Sequence, residues 1–180
     1  AVAMAAVGPL VVVPGNHDGN LNNLTRMDAL SPLIKALNHR NILYFKDSGL
    51  YTLFLGRGDE KNDYKNKELT FAVFSCFDNK WPSKDEINKA REKWSNSFSM
   101  YGGCKCHGDV ACQKKQMAED HVVIGLFHGM IQGAVLQNGV PVDDSPYELQ
   151  QFLDSVDYLL LGDIHKKQFL DSQKRAAYCG

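Results

Sequence analysis

The sequence has almost no net charge: 20 lysines and arginines against 21 aspartates and glutamates leave a formal −1. A protein held to nucleic acid mainly by bulk positive charge is therefore excluded, although an enzyme with a local basic rim is not. The sequence also lacks any apolar run near the roughly 20 residues that a membrane-spanning helix needs. No internal repeat, low-complexity tract or linker interrupts it, and the composition is that of an ordinary globular protein, against long disorder, collagen-like repeats or coiled coil.

The opening stretch, AVAMAAVGPLVVVPG, is apolar yet lacks the basic flank of a secretory signal and runs into a motif instead of a cleavage site. No methionine starts the chain and no capping residue opens it. It stops at Ala176-Ala177-Tyr178-Cys179-Gly180, as if another strand were beginning. Residues 1–180 are accordingly expected to form a single domain that is part of a longer one.

Five cysteines are an odd number. Cys76 lies in the apolar strand pattern LTFAVFSCF and reads as a buried free thiol. Cys104, Cys106 and Cys112 cluster with His107 in CKCHGDVAC, where a structural metal, a local disulfide and free loop thiols all stay open. Nothing in this usage demands an oxidising compartment, so a cytoplasmic location is expected.

What is present alternates strands with helices, and one α/β domain is the economical reading. Leu10 to Val13 is a continuous apolar run, the mark of a strand buried on both faces, and it ends at Pro14-Gly15. Leu24 to Leu37 reads as helical with a break at Ser31-Pro32, where the serine caps and the proline takes the first helical position. Short strands follow at Ile42–Phe45 and Leu50–Leu55, then a polar loop over 56–68 and a strand over Leu69–Phe77. Ser83 and Glu86 form a capping box that opens a helix, with Ile87, Ala90, Trp94 and Phe98 as its core-facing stripe. Residues 102–112 read as loop and Val122–Phe127 as a second buried strand. Asn138-Gly139 signals a hairpin turn, Ser145 and Glu148 repeat the capping box before Leu149, Phe152 and Leu153, and Tyr158–Leu161 is a third apolar strand. His39, His107 and His121 belong to no motif, and Tyr158 and Tyr178 read as strand packing.

Each of the three buried-type strands ends in a turn with metal-type ligands: Asn16-His17-Asp18, His128-Gly129 and Asp163-Ile164-His165. One histidine at a strand end is usually a hydrogen-bonded structural residue. Three such turns, with glycine adjacent so that backbone can approach closely, point to one shared site. Imidazole, carboxylate and amide oxygen without a thiolate suit Mn²⁺, Fe²⁺ or Zn²⁺. Two such ions about 4 Å apart would bind a phosphate ester, activate a water for in-line attack and stabilise the leaving oxygen.

GNHD at 15–18, FHG at 127–129 and GDIHKKQ at 162–168 resemble the calcineurin-like metallophosphoesterases. Within them, DYLLLGDIHKKQF and the closing AYCG are similar to the Mre11/SbcD branch of DNA-repair nucleases, in bacterial or phage-type versions. The resemblance runs from Val11 to Gly180. It implies a metallophosphoesterase-type β-sheet sandwich flanked by helices, and two divalent metal ions, Mn²⁺ foremost with Mg²⁺, Fe²⁺ or Zn²⁺ as alternatives. It further implies DNA exonuclease or endonuclease activity, a homodimer and a Rad50/SbcC-like ATPase partner, with no membrane role. Residue by residue, it implies Asn16, His128 and His165 as metal ligands and His17 as the catalytic histidine that contacts the phosphate and assists the leaving group. Asp18 is implied to orient His17. Lys166 and Lys167, joined by Lys174 and Arg175, would form a basic rim for the phosphodiester backbone.

Two departures modify this. Asp163 stands where the family's last motif, Gly-His-x-His, has its first histidine; as a ligand it would shift preference toward Mn²⁺ or Mg²⁺. The family's N-terminal Asp-x-His and Gly-Asp motifs should precede Gly8, where no aspartate or histidine occurs. The chain is therefore expected to be an N-terminally truncated domain, inactive or weakly metal-binding alone. Two other readings stay open. A phosphomonoesterase or cyclic-nucleotide phosphodiesterase would use the same chemistry in a deep closed pocket, and a non-catalytic remnant would serve as a binding module.

Overall fold

The computed structural model describes residues 1–54, 68–78, 80–98 and 121–180, without the side chains of 54, 68 and 94–98. After a short helix α1 (Val2–Ala5) come strand β1 (Leu10–Val12), helix α2 (Leu30–Leu37) and strand β2 (Ile42–Tyr44), with β1 and β2 paired in parallel. Strands β3 (Gly49–Phe54) and β4 (Glu68–Phe74) pair antiparallel. Helix α3 (Lys84–Phe98), strand β5 (Val122–His128), helix α4 (Leu149–Leu153) and strands β6 (Tyr158–Gly162), β7 (Gln168–Phe169) and β8 (Ala176–Tyr178) follow. The last strands join one mixed sheet of order β3-β4-β5-β6-β8-β7, in which β4, β5, β6 and β8 run parallel. The chain is α/β.

Alternate side chains of the sheet divide between two cores. On one face Phe74, Phe127, Leu159 and Tyr178 pack against Trp81, Ile87, Phe152 and the segment around α4. Trp81, Phe127, Tyr147 and Phe152 meet there with ring centroids 5.0 to 5.6 Å apart. On the other face Phe71, Val73 and Leu126 are covered by the β1–β2 pair through Val11, Val13, Leu43 and Phe45.

That second layer covers only part of the sheet, which corrects the expectation of three strands buried on both faces. β5 lies beneath both cores and is largely buried. β1 is half-buried throughout, because it belongs to the thin outer pair. In β6, Leu159 and Leu161 point inward while Tyr158 and Leu160 are exposed, since no described residue of β1 or β2 packs on β6.

Several boundaries also differ. α2 starts at Leu30 rather than Leu24, and Asp28, not Ser31, takes its first amides; Pro32 falls in the first turn, where a missing N–H is harmless. β4 stops at Phe74, because the Ser75 hydroxyl turns to the Lys46 carbonyl at 2.6 Å. Cys76 is consequently a half-buried free thiol in a turn rather than a buried one in a strand. The Ser83–Glu86 box forms as expected, with the Ser83 amide donating to Glu86 Oε2 at 2.8 Å and the Glu86 amide to Ser83 Oγ at 3.3 Å, and Ile87 is buried. The other box shifts by three residues: Glu148 is the N-cap of α4, its amide donating to Gln151 Oε1, while Ser145 donates to the Met130 carbonyl instead. Gly139, at φ +87°, makes the Asn138-Gly139 turn beside a bridge between Val135 and Pro141. The polar-loop residues 56–67, the side chains of Trp94 and Phe98, and the cluster of Cys104, Cys106, His107 and Cys112 lie outside the described residues. Among the described residues no helix is long and apolar enough to cross a membrane.

The segment between β1 and β2 is held by polar contacts around one enclosed carboxylate. Asp28 accepts hydrogen bonds from the amides of Leu30 and Ser31 at 2.9 and 2.7 Å and from the hydroxyls of Ser31 and Tyr44 at 2.6 and 2.7 Å. Its other partner is the Lys46 ammonium at 3.0 Å. Burial alone would raise its pKa, but the bonds from Ser31, Tyr44 and Lys46 outweigh burial and hold the carboxyl well below the usual carboxylate range. Such a group stabilises the fold fully above its unfolded pKa of about 3.9 and loses that contribution as pH falls further. Asp28→Ala is expected to cost about 3 kcal/mol at neutral pH, measured by urea unfolding. Asp28→Asn should, in addition, flatten the loss of stability below about pH 4; an acid limb identical to the parent's would refute the assignment.

Candidate functional site

Parallel strands end on the same edge of a sheet, and loops leaving those ends converge. β5 and β6 are in register so that His128 pairs with Gly162. Every residue after β6 therefore leaves beside the imidazole. β1 lies in the covering layer, and its exit turn Pro14-Gly15 reaches the same histidine.

The ring of His128 sits between two glycines. A Cβ on Gly15 would stand 2.5 Å from its Cε1, and a Cβ on Gly162 would stand 2.8 Å from its Nδ1. Only glycine allows this approach from both sides. His128 Nε2 lies 3.2 Å from Asn16 Oδ1 and 3.7 Å from Asp163 Oδ1. Asp163 adopts φ +94°, a region that non-glycine residues enter at a cost, and this backbone brings its carboxylate back toward the ring. Three of the expected ligands thus meet: Asn16, His128 and Asp163.

The other expected residues surround this group without joining it. Asp18 uses its carboxylate on its own turn, accepting the Gly15 amide at 2.7 Å, while the Asp18 amide returns to the Gly15 carbonyl at 3.0 Å. Its carbonyl accepts the Ala29 amide at 2.7 Å, which ties the turn to the Asp28 network. Among the described residues no hydrogen bond links Asp18 directly to His17, so any orienting effect passes through the backbone. His17 and His165 are exposed, and both lie close enough to depress the pKa of His128. Lys166 and Lys167 are exposed beyond His165. Of the residues expected to extend the basic rim, Lys174 is exposed with its ammonium over the Phe169 ring at 5.6 Å, and Arg175 pairs with Asp171 at 3.5 Å.

Burial is the main influence that lowers the pKa of His128; Asp163 and Asp18 act against it, and His17 and His165 add to it. This shift favours the uncharged imidazole. Immediately after it, the Tyr178 hydroxyl donates to the Gly129 carbonyl at 2.7 Å and accepts the Ile131 amide at 3.0 Å. Burial pushes the Tyr178 hydroxyl up to about 12, so it remains a donor across the working range. Tyr178 packs in its strand as expected, and the clamp it adds is not legible in the sequence, because the partner turn lies 49 residues away. Among the described residues no three His, Cys, Asp or Glu side chains form a metal-holding group by themselves; the cluster combines one amide, one imidazole and one carboxylate. His39 and His121 are structural, His39 accepting the Asn41 amide at 3.3 Å and His121 bonding to Thr70 at 2.9 Å.

No family model matches the chain. Over 175 residues, 97% of its length, the chain is 29% identical to an uncharacterised protein of Acanthamoeba polyphaga mimivirus, and it spans about a tenth of that protein's length. The glycine contacts yield a direct test. Gly162→Ala should displace the imidazole and shift the His128 ring resonances in NMR, with an unchanged far-ultraviolet spectrum. Unshifted resonances would show that the close approach does not position the ring.

Proposed function

We propose that this chain belongs to a metal-dependent phosphodiesterase of the calcineurin-like metallophosphoesterase type, akin to the Mre11/SbcD nucleases and acting on DNA. The observation that carries this reading is the meeting of Asn16, His128 and Asp163 from three separate strand-end turns. Two donors each about 2.1 Å from one ion, at right-angle to tetrahedral angles, stand about 3.0–3.4 Å apart. The separations of 3.2 and 3.7 Å from His128 Nε2 lie within and a little above that span, which supports one shared divalent ion. An amide oxygen, a carboxylate and a neutral imidazole favour Mn²⁺ or Mg²⁺ over Zn²⁺.

A bound ion would supply charge stabilisation at the phosphoryl oxygens and a more acidic bound water. Asn16, His128 and Asp163 would hold it, with His165 at the margin. His17, exposed beside them, is suited to contact the phosphate and give a proton to the leaving oxygen. Asp18 keeps the turn that presents His17 in shape through its bond to the Gly15 amide. The exposure of His17, His165, Lys166 and Lys167 favours an open groove and a polymeric diester over a small monoester in a closed pocket. The second ion implied by the resemblance would need donors beyond this cluster, and hydrolysis by the chain alone is expected to be weak.

A second copy is the partner we assign to α2. None of its residues is buried, Leu33 and Leu37 are exposed, and so are Leu21, Leu24 and Met27 of the segment before it. A Rad50/SbcC-like ATPase remains the expected heterologous partner on resemblance alone.

Calorimetry should detect Mn²⁺ uptake by the parent, with affinity reduced at least about tenfold in Asn16→Ala, His128→Ala and Asp163→Ala. His17→Ala should bind the ion normally yet lower hydrolysis of bis(p-nitrophenyl) phosphate by about a hundredfold or more. A folded parent that takes up no Mn²⁺ at about 1 mM would overturn the reading in favour of a non-catalytic module. Light scattering should report a change from two copies to one on combining Leu33→Glu with Leu37→Glu; an unaltered mass would remove α2 from the interface.

A further inference from the structure

β5, β6 and β8 lie side by side, and their register links Phe127 to Leu161 and Leu161 to Tyr178. Residues paired in this way point to the same face, so Phe127, Leu161 and Tyr178 enter one core. His128, next along β5, points to the opposite face, where Gly15 of the covering layer meets its ring. The histidine turn is thus fastened from two sides, by glycine backbone against the ring on one and by the Tyr178 phenol on the other.

The phenol reaches across β6 to do this. Its hydroxyl donates to the Gly129 carbonyl at 2.7 Å and accepts the Ile131 amide at 3.0 Å, and both Tyr178 and Ile131 are fully buried. One oxygen therefore ties together two backbone groups that flank Met130. Gly129 makes a longer bond as well, its amide donating to the Gly162 carbonyl at 3.3 Å. Glycine is required at this joint, because a Cβ there would stand 2.5 Å from the Phe127 ring. Glycine is also the residue that restricts its own backbone least, so bonds to neighbours must set the turn. Phenylalanine would fill the same core volume as Tyr178. Only the hydroxyl can donate to a carbonyl and accept an amide at once.

We propose that Tyr178 is a positioning residue for metal binding, whose hydroxyl fixes the turn after β5 and thereby the direction of the His128 ring toward Asn16 and Asp163. The inference rests on the reading of those three residues as a metal site. Tyr178 acts through the Gly129 peptide and not on the ion itself. Without the hydroxyl, the Gly129 carbonyl and the Ile131 amide lose a buried partner, and the turn shifts to find others. His128 Nε2 then leaves its 3.2 Å approach to Asn16 Oδ1, and the donors no longer converge on one point.

The test compares the whole chain with Tyr178→Phe, which keeps the ring and removes the oxygen. Metal-free NMR reads the His128 ring resonances, assigned by their loss in His128→Gln, together with amide exchange at Ile131. Calorimetry reads Mn²⁺ affinity. Tyr178→Phe should shift the ring resonances, speed exchange at Ile131 and weaken Mn²⁺ binding about tenfold. Val156→Ala is the comparison, because Val156 is buried in the same core and has no hydrogen bond to the turn among the described residues. It should lower stability in urea and leave both the ring resonances and the Mn²⁺ affinity unchanged. Ser145→Ala releases the Met130 carbonyl, which the Ser145 hydroxyl holds at 2.6 Å, and should shift the same resonances to a smaller extent. Unmoved ring resonances in Tyr178→Phe, or in Ser145→Ala where the first variant does not fold, overturn the positioning role. A shifted ring with undiminished Mn²⁺ affinity overturns it as well, since metal binding would then not depend on the turn. So does an equal loss in Val156→Ala, which would make the effect one of general stability. A parent that takes up no Mn²⁺ overturns the metal reading and the link to it; a ring shift in Tyr178→Phe then leaves only the orienting of His128 standing.

Discussion

The pairing of His128 with Gly162 across two parallel strands is the constraint on which the candidate site depends. It places the end of β5 and the exit of β6 at one point of the sheet edge. The missing side chain at Gly162 lets the imidazole lie against the β6 backbone, and Gly15 does the same from the covering layer. Asp163 must then turn back immediately, and its left-handed backbone is the local cost of that reversal. Tyr178 secures the opposite end of the histidine turn with one hydroxyl that both donates and accepts.

The near-zero net charge conceals a division of labour among the charges. Buried or half-buried carboxylates are occupied by the chain's own donors: Asp28 by five groups, Asp78 by two amides, and Asp157 by Arg91 and the Val123 amide. Arg91 and Arg175 are likewise held within the fold. Several lysines, Lys80, Lys89, Lys166 and Lys167, remain exposed. The distribution of charge therefore matters more than its sum.

Motifs with their own local chemistry were legible in the sequence. The Ser83–Glu86 box formed because both partners are three residues apart on the same turn, and the glycine beside Asn16 marked a real close approach. Elements whose character depends on a neighbour were read less well. Tyr158–Leu161 looks like a strand buried on both faces, but the covering layer stops at β5, leaving Tyr158 and Leu160 exposed. The first amides of α2 went to Asp28 rather than Ser31 because Tyr44 and Lys46, distant in sequence, stabilise that carboxylate as an enclosed acceptor. Arg175 was misjudged as a free cation for a similar reason: Asp171, four residues before it, pairs with it in a turn that composition does not reveal.

By itself the sequence determined the α/β alternation, the residue types at three strand ends, and the glycines that permit crowding there; all are local properties of patterns and turns. Tertiary structure decided which of those residues meet. Register brought Asp163 to His128, the covering layer brought Asn16, and internal pairing withdrew Asp18 and Arg175 into structural work. Such relations depend on distances between segments, and distance through space is what a one-dimensional pattern does not carry.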